Sequence, residues 1–94
     1  MWFTWDPQKD ATNRRKHGVS FELALHVFDD PSHISIQDRH EDGEERWQTI
    51  GRIGPVAILL VAHTYEDNDG EEVVRIISAR KATKAERRRY DERP

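Results

Sequence analysis

Cysteine is absent from this chain of 94 residues. Its absence excludes disulfides, thiolate catalysis and zinc sites that use sulfur ligands. Long apolar segments are missing as well, because the longest run, Val56 to Ala62, has only seven residues. A membrane-spanning helix needs about 20, and no signal peptide is visible. We therefore expect one cytoplasmic domain over residues 1–94 that does not associate with membranes.

Common catalytic motifs are also missing. The chain has no glycine-rich phosphate loop, no His-Glu-x-x-His string and no nucleophilic serine motif. Its five histidines, at positions 17, 26, 33, 40 and 63, do not have the spacing of metal ligands. The sequence therefore predicts no metal site and no cofactor.

Positive charge is scarce over most of the chain and concentrated at its end. Residues 75–94 hold eight Lys/Arg and three Asp/Glu, a net of +5, whereas residues 1–74 hold seven and fifteen, a net of −8. This polarisation indicates an anionic partner for the C-terminal segment, and nucleic acid is the first candidate. A basic helix face that is only solvated is an equally frequent explanation of such a charge run.

Start and stop signals predict three helices. Asp6-Pro7 begins the first and Gly18 ends it, because Asp accepts N-terminal amides and Gly adopts the left-handed conformation. Ser20 caps a second helix, in which apolar residues recur at i, i+3, i+4 and i+7. Thr83 with Glu86 three residues later forms the capping box of a terminal helix that starts near residue 84.

The remaining segments predict strands, in the overall order β-α-α-β-β-β-β-α. An acidic turn at 38–44 and a polar loop at 66–70 separate them. The connections are too short for parallel crossovers, so we predict an α+β fold with an antiparallel sheet. The sheet has four to five strands, with two N-terminal helices and one C-terminal helix. The predicted strands are 2–5, 33–37, 46–51, 56–63 and 72–79.

Arg75 lies in the last predicted strand and Arg80 directly follows it, and both are candidates for a phosphate site. A guanidinium holds a phosphate through two hydrogen bonds and stabilises the charge of a pentacovalent transition state. Residues five apart lie on opposite faces of a regular strand, so both arginines serve one site only if the strand ends or bulges before Arg80. Arg80 lies two residues after Ser78, on the same face of a regular strand, and is the stronger candidate. Arg75 is alternatively a member of a structural ion pair.

Two further positions could take part in proton transfer. His63 ends the central strand, where it could lie at the sheet rim and titrate near neutral pH. A strand-end histidine that is only held by hydrogen bonds is the more frequent case. Glu44, Glu45 and Arg46 begin the third strand, and one of these carboxylates could act as a general base. Such a cluster is more often a solvated strand end.

Aromatic and basic residues supply candidates for RNA binding. Trp47 and Tyr90 could stack on bases, although an aromatic residue on a half-buried strand is more often part of the core. Lysines and arginines contact phosphates without sequence specificity. The predicted RNA-binding residues are Lys9, Arg46, Trp47, Lys81, Lys84 and Tyr90.

Specific strings in the sequence carry a family resemblance. Asn-x-x-Lys-His-Gly-Val-Ser-Phe starts at residue 13, and Arg-Ile-Ile-Ser-Ala-Arg-Lys-Ala starts at residue 75. Further blocks at 3–9, 27–31, 45–47 with 50–51, and 62–64 complete a pattern that spans nearly the whole chain. In these blocks the sequence resembles the BrnT-type ribonuclease toxins of bacterial type II toxin–antitoxin systems.

The resemblance implies a RelE-like fold and metal-independent RNA cleavage, by attack of a ribose 2′-hydroxyl, that inhibits translation and growth. It also implies a BrnA-type antitoxin that neutralises the toxin, a toxin homodimer within a heterotetramer, and operator DNA bound indirectly through the antitoxin. Carried over to this chain, Arg80 is the best catalytic candidate, followed by Arg75, His63 and Glu45.

One segment departs from the family pattern. Members often have a basic residue shortly after the His-Thr pair, whereas this chain has Tyr65-Glu66-Asp67. The alternative to an active toxin is therefore a catalytically inactive toxin-fold protein that only binds its antitoxin and acts as a co-repressor.

Overall fold

A computed structural model describes residues 1–55 and 57–92 of the chain. Val56, the first residue of the predicted central strand, lies outside this part. No helix among the described residues is both long and apolar enough to cross a membrane. The elements are β1 (Trp2–Trp5), α1 (Pro7–His17), α2 (Phe21–Ala24), a 3₁₀ segment (Leu25–Asp29), β2 (Ile34–Glu41), β3 (Glu44–Ile53), β4 (Ala57–Asn68), β5 (Glu71–Lys81) and α3 (Lys84–Asp91).

The helix boundaries follow the predicted capping residues. The Asp6 carboxylate accepts the N–H of Gln8 at 2.9 Å, and Gly18 ends α1 with a φ of 71°. The Ser20 hydroxyl caps α2, which continues as the 3₁₀ segment rather than as one regular helix. At α3 the capping box of Thr83 and Glu86 is present. The predicted order of elements and the α+β class are confirmed.

The strands form one sheet in the order β1-β5-β4-β3-β2. The pairs among β2, β3, β4 and β5 are antiparallel, as predicted. The first strand differs, because β1 lies parallel to β5 at one edge. A parallel pair needs a long connection, and the whole chain between β1 and β5 provides it.

Two hairpins extend further than the sequence predicted. The turns are reduced to Asp42-Gly43 and Asp69-Gly70, and all four residues have positive φ angles. Positive φ at both central residues is typical of the tight turn that matches strand twist. The predicted turn at 38–44 and loop at 66–70 are therefore mostly strand. Their polar residues resemble loop residues because the hairpin ends project beyond the apolar core.

The sheet buries apolar residues on both of its faces. One face, called here the helix-side face, packs under α2 and the 3₁₀ segment. Its buried residues are Val19, Phe21, Ala24, Val27, Leu59, Val61, Val74, Ile76 and Ala79. The opposite face, called the open face, is covered at one end by α3, where Tyr90 packs on Ile50, Ile58 and Leu60. The rest of the open face carries polar side chains and forms the candidate site.

Helix α1 has almost no apolar side chain to bury, and one amide attaches it to the sheet. The Asn13 side chain is buried and hydrogen-bonds both backbone groups of Ala79, its Nδ2 to the carbonyl at 2.8 Å and its Oδ1 to the N–H at 3.1 Å. Nδ2 also donates to the Val19 carbonyl at 2.9 Å. Asn13 thus occupies the edge of β5 beyond the end of β1 and fixes α1 beside the open face.

Candidate active site

A bulge in β5 brings Arg75 and Arg80 to the same face of the sheet. Ser78 pairs with Ala62 of β4, but Ile76 pairs with His63, so Ile77 is an extra residue in the ladder. Side chains of directly paired residues lie on the same face. Arg75 pairs with Thr64 and Arg80 pairs with Leu60, and both partners belong to the open face. The bulge that a shared face requires is therefore present in β5.

Arg75 lies at the centre of a cluster of charged side chains on the open face. Its Nη2 donates to both carboxylate oxygens of Glu44, at 2.8 and 2.6 Å, and its Nε donates to Glu66 at 3.3 Å. The hydrogen bond from Arg75 lowers the pKa of the Glu44 carboxyl below its ordinary value. Glu44 also raises the pKa of Arg75. At neutral pH Glu44 is therefore an ionised acceptor beside a fixed cation.

Two buried polar atoms beside Arg75 lack partners among the described residues. They are the Oγ1 of Thr64 and the Nε of Arg46. Arg46 precedes Trp47, which pairs with His63, so the register places Arg46 next to Thr64 and on the face of Glu44. Buried polar groups are nearly always hydrogen-bonded. The floor of this cluster therefore contains one hydroxyl and one guanidinium N–H whose hydrogen-bonding capacity the described residues do not use.

Helix α1 adds lysines to one side of the cluster. Lys9 lies close enough to Glu44 to help lower its pKa through charge attraction. A groove of about 680 Å³ runs between α1 and the bulged part of β5 and continues from this position. Its polar and basic lining includes Lys9, Thr12, Arg15, Lys16, His17 and Ser78. The groove joins the cluster and carries an excess of positive charge.

Arg80 is directed away from Arg75 and toward α3. Its two terminal nitrogens donate to the two oxygens of Glu86, at 2.8 and 3.0 Å. Five residues of strand span about 16 Å, so Arg75 and Arg80 belong to neighbouring parts of one surface rather than to one phosphate. The pKa of Glu86 is lowered, first by the hydrogen bond from Arg80, and the same carboxylate completes the cap of α3.

His63 does not lie at the sheet rim, and that part of the prediction is wrong. The side chain is fully buried on the helix-side face, where its ring contacts Phe28 and Tyr65 edge to face. Its Nε2 is 2.7 Å from the Thr49 hydroxyl. Desolvation lowers the pKa of His63 to about 4. The imidazole is therefore neutral at physiological pH and separated from the open face by the sheet.

Glu45 and Trp47 also lie away from Arg75. Glu45 alternates with Glu44 along β3, so it points to the opposite face, and it is exposed. Trp47 is half-buried on the helix-side face and contacts the Tyr65 ring at a centroid distance of 5.4 Å. The carboxylate that meets Arg75 is therefore Glu44 and not the predicted catalytic residue Glu45. The alternation in β3, with Trp47 turned toward the helices, is the signal that distinguishes them.

The other predicted RNA-binding residues are divided between the surface and the core. Tyr90 is only 3% exposed, and its hydroxyl donates to the Asp30 carboxylate at 2.5 Å. The ring therefore fixes α3 to the sheet and offers no free face for a base. Lys81 and Lys84 are exposed. Lys84 lines a shallow groove with Arg52, Arg87 and Arg88 beside α3.

The described residues contain no group of three or more His, Asp or Glu side chains arranged to hold a metal ion. The polar groups gathered around Arg75 are the carboxylates of Glu44 and Glu66, the guanidinium of Arg46, the hydroxyl of Thr64 and the ammonium group of Lys9. Such a set of groups can bind a phosphodiester and can accept or donate protons.

Comparisons with known proteins assign this arrangement to a family. No curated protein matches the chain significantly. Among solved structures, the 1.1 Å crystal structure of the Brucella abortus ribonuclease toxin BrnT superposes with a TM-score of 0.68 and 28% sequence identity. The match covers 89% of this chain and 99% of the Brucella chain. The family model described as the ribonuclease toxin BrnT of type II toxin–antitoxin systems matches residues 5–86. The chain therefore belongs to the BrnT family of ribonuclease toxins.

Proposed function

We propose that this chain is an active endoribonuclease toxin that cleaves cytoplasmic RNA without a metal ion. The observation that carries the proposal is the Arg75–Glu44 pair on the open face, with contacts of 2.6 and 2.8 Å. It supplies a fixed cation for a phosphate and an ionised carboxylate next to it. The match to the Brucella abortus ribonuclease toxin supports RNA as the substrate class.

The proposed reaction begins when the ribose 2′-hydroxyl attacks the adjacent phosphorus. Glu44 takes the hydroxyl proton as general base, because it is ionised and lies at the phosphate site. The new bond joins O2′ to phosphorus. Arg75 stabilises the added negative charge through Nη1, which makes no hydrogen bond to the part of the chain that the structure describes. Arg46, whose positive charge already acts on Glu44, adds electrostatic stabilisation from below.

Cleavage of the bond between phosphorus and O5′ completes the reaction. The leaving oxygen needs a proton, and we assign its delivery to Lys9, because an ammonium group releases a proton more readily than a guanidinium. The products are a 2′,3′-cyclic phosphate and a 5′-hydroxyl end. The lysines of the α1 groove would hold flanking phosphates. Arg80 would hold a second phosphate, which would replace Glu86 as its hydrogen-bond partner.

The proposed partners follow from the family. A BrnA-type antitoxin would neutralise the chain, a toxin homodimer would form within a heterotetramer, and operator DNA would be bound through the antitoxin. Helix α3 presents exposed Lys84, Arg87 and Arg88 around one groove. An acidic antitoxin segment suits this surface, while the Arg75 cluster remains the place of cleavage.

Incubation of the purified chain with RNA and EDTA tests the proposal directly. We expect fragments with 2′,3′-cyclic phosphate and 5′-hydroxyl ends, because the mechanism uses only side chains and the substrate hydroxyl. RNA with 2′-O-methyl groups should stay intact. If the folded chain leaves natural RNA intact with and without EDTA, or requires a divalent metal, the proposed function is wrong.

One observation favours a second candidate, an inactive toxin fold that only binds its antitoxin. Arg75 is paired with Glu44 and Glu66, and Arg80 is paired with Glu86, so carboxylates occupy both arginines. Expression in cells without the antitoxin separates the two functions. The active toxin arrests growth, whereas the binding module leaves growth unchanged and still associates with the antitoxin.

A further inference from the structure

We propose that Trp2 is a stacking platform for the nucleobase next to the phosphate at Arg75. The inference rests on the proposed ribonuclease function and deepens it, since it assigns a contact to a base of single-stranded RNA. Trp2 precedes the residues that the family model matches, which begin at position 5.

The position of Trp2 follows from strand alternation and register. Phe3 and Trp5 pack into the helix-side core, where their rings contact Phe28 and Phe21. Trp2 and Thr4 must therefore point to the open face. Thr4 pairs with Arg75. Trp2 thus lies two residues before Thr4, the residue that pairs with Arg75, which corresponds to about 7 Å along β1.

Trp2 is unusual among the aromatic residues because its ring is not packed in the core. It is 61% exposed, whereas Trp47 packs on Tyr65 and Tyr90 is buried. An indole face in water is available for stacking on any base, because every base has a π-face. Among the described tryptophan and tyrosine side chains, Trp2 is the one that combines exposure with the open face.

The charges around Trp2 favour a base rather than a phosphate at this position. Trp2 pairs with Val73, and Val73 pairs on its other side with Glu66. The Glu66 carboxylate would repel a phosphate there but can accept a hydrogen bond from a base amino group. Cationic Arg75 and Lys9 lie further along the same face. A nucleotide therefore fits with its phosphate at Arg75 and its neutral base between Trp2 and Glu66.

Binding of two oligonucleotides by the full chain and its variants tests the inference. The first probe is 2′-O-methyl RNA, which lacks the attacking hydroxyl and is not cleaved. The second is an abasic phosphodiester of the same length. Loss of one stacked base should weaken binding of the first probe about 5- to 150-fold in Trp2→Ala. The same variant should bind the abasic probe within about 2-fold of the wild type, because the phosphate contacts remain.

Controls separate stacking from other roles of the ring. Trp2→Phe should restore most of the affinity for the base-containing probe, and Leu23→Ala, at an exposed apolar residue of α2, should change neither probe. Equal effects of Trp2→Ala on both probes, or none on either, overturn the inference. A change of oligomeric mass with unchanged RNA affinity assigns Trp2 to a protein interface and also overturns it. If one of these results is found and the wild type still cleaves RNA, the ribonuclease function stands and only the stacking role of Trp2 is wrong. If the wild type does not cleave RNA, both proposals are wrong.

Discussion

Arg75 and Arg80 lie on the same face of β5 although they are five residues apart. The extra residue Ile77 shifts the register between them and returns the second arginine to the face of the first. Their side chains then diverge, Arg75 toward Glu44 and Arg80 toward Glu86. This geometry gives the two arginines different expected effects on catalysis.

Removal of Arg75 should reduce turnover more than removal of Arg80. We expect Arg75→Ala to lower kcat about 10²- to 10³-fold, because it removes the cation that faces the transition state. Arg80→Ala should mainly raise KM, because it removes a flanking phosphate contact. Arg89→Ala, an exposed change on α3, controls for lost charge. Single-turnover and steady-state cleavage of one RNA measure all three. A larger loss of kcat in Arg80→Ala than in Arg75→Ala would show that the scissile phosphate binds at Arg80 instead.

Glu44 and Glu45 form a matched pair of neighbouring carboxylates on opposite faces of β3. Glu44→Gln should lower kcat about 10²- to 10⁴-fold, because an amide cannot take the 2′-hydroxyl proton. Glu45→Gln removes the same charge from the other face and should leave kcat within about 2-fold. Cleavage assays of both variants, with folding checked by circular dichroism, measure the difference. The reverse order of effects would restore the sequence-based choice of Glu45.

Burial of neutral His63 should make the protein sensitive to mild acid. Its pKa falls from an ordinary value of 6.5 to about 4 in the folded state, so the unfolded chain binds the proton first as the pH falls. The stability is fully present above pH 6.5 and is lost progressively toward pH 4, by about 3 kcal/mol in total. Urea unfolding between pH 7 and 4.5 measures the slope. His63→Gln should flatten this slope, and an unchanged slope in that variant would contradict the assignment.

Asn13 should contribute to stability far beyond what an exposed, polar helix suggests. Asn13→Ala leaves Ala79 N–H, Ala79 C=O and Val19 C=O without their partner. Unsatisfied buried groups are costly, and we expect a loss of about 2–4 kcal/mol. Thr12→Ala, at the exposed neighbouring position, should change the free energy of unfolding by less than about 0.5 kcal/mol. Equal effects in chemical denaturation would show that the Asn13 amide does not hold α1 to β5.

Local signals in the sequence were sufficient for the elements and their order. The caps at Asp6, Ser20 and Thr83 and the glycine at 18 act through neighbouring backbone groups, so they can be recognised without knowledge of the fold. Polar strand ends could not be recognised in this way. Residues 39–41 and 66–68 have loop-like composition and are strands only because the partner strand of each hairpin pairs with them.

The α+β class, the helix caps, the basic C-terminal segment and the resemblance to the BrnT toxins could be recognised without coordinates. These properties depend on residue types and short spacings. Which side chains meet became visible only in the folded chain. A bulge aligns Arg75 with Arg80, Glu44 rather than Glu45 pairs with Arg75, and His63 is buried. One residue of register shift moves a side chain to the other face of a sheet, and contacts between distant strands fix the register.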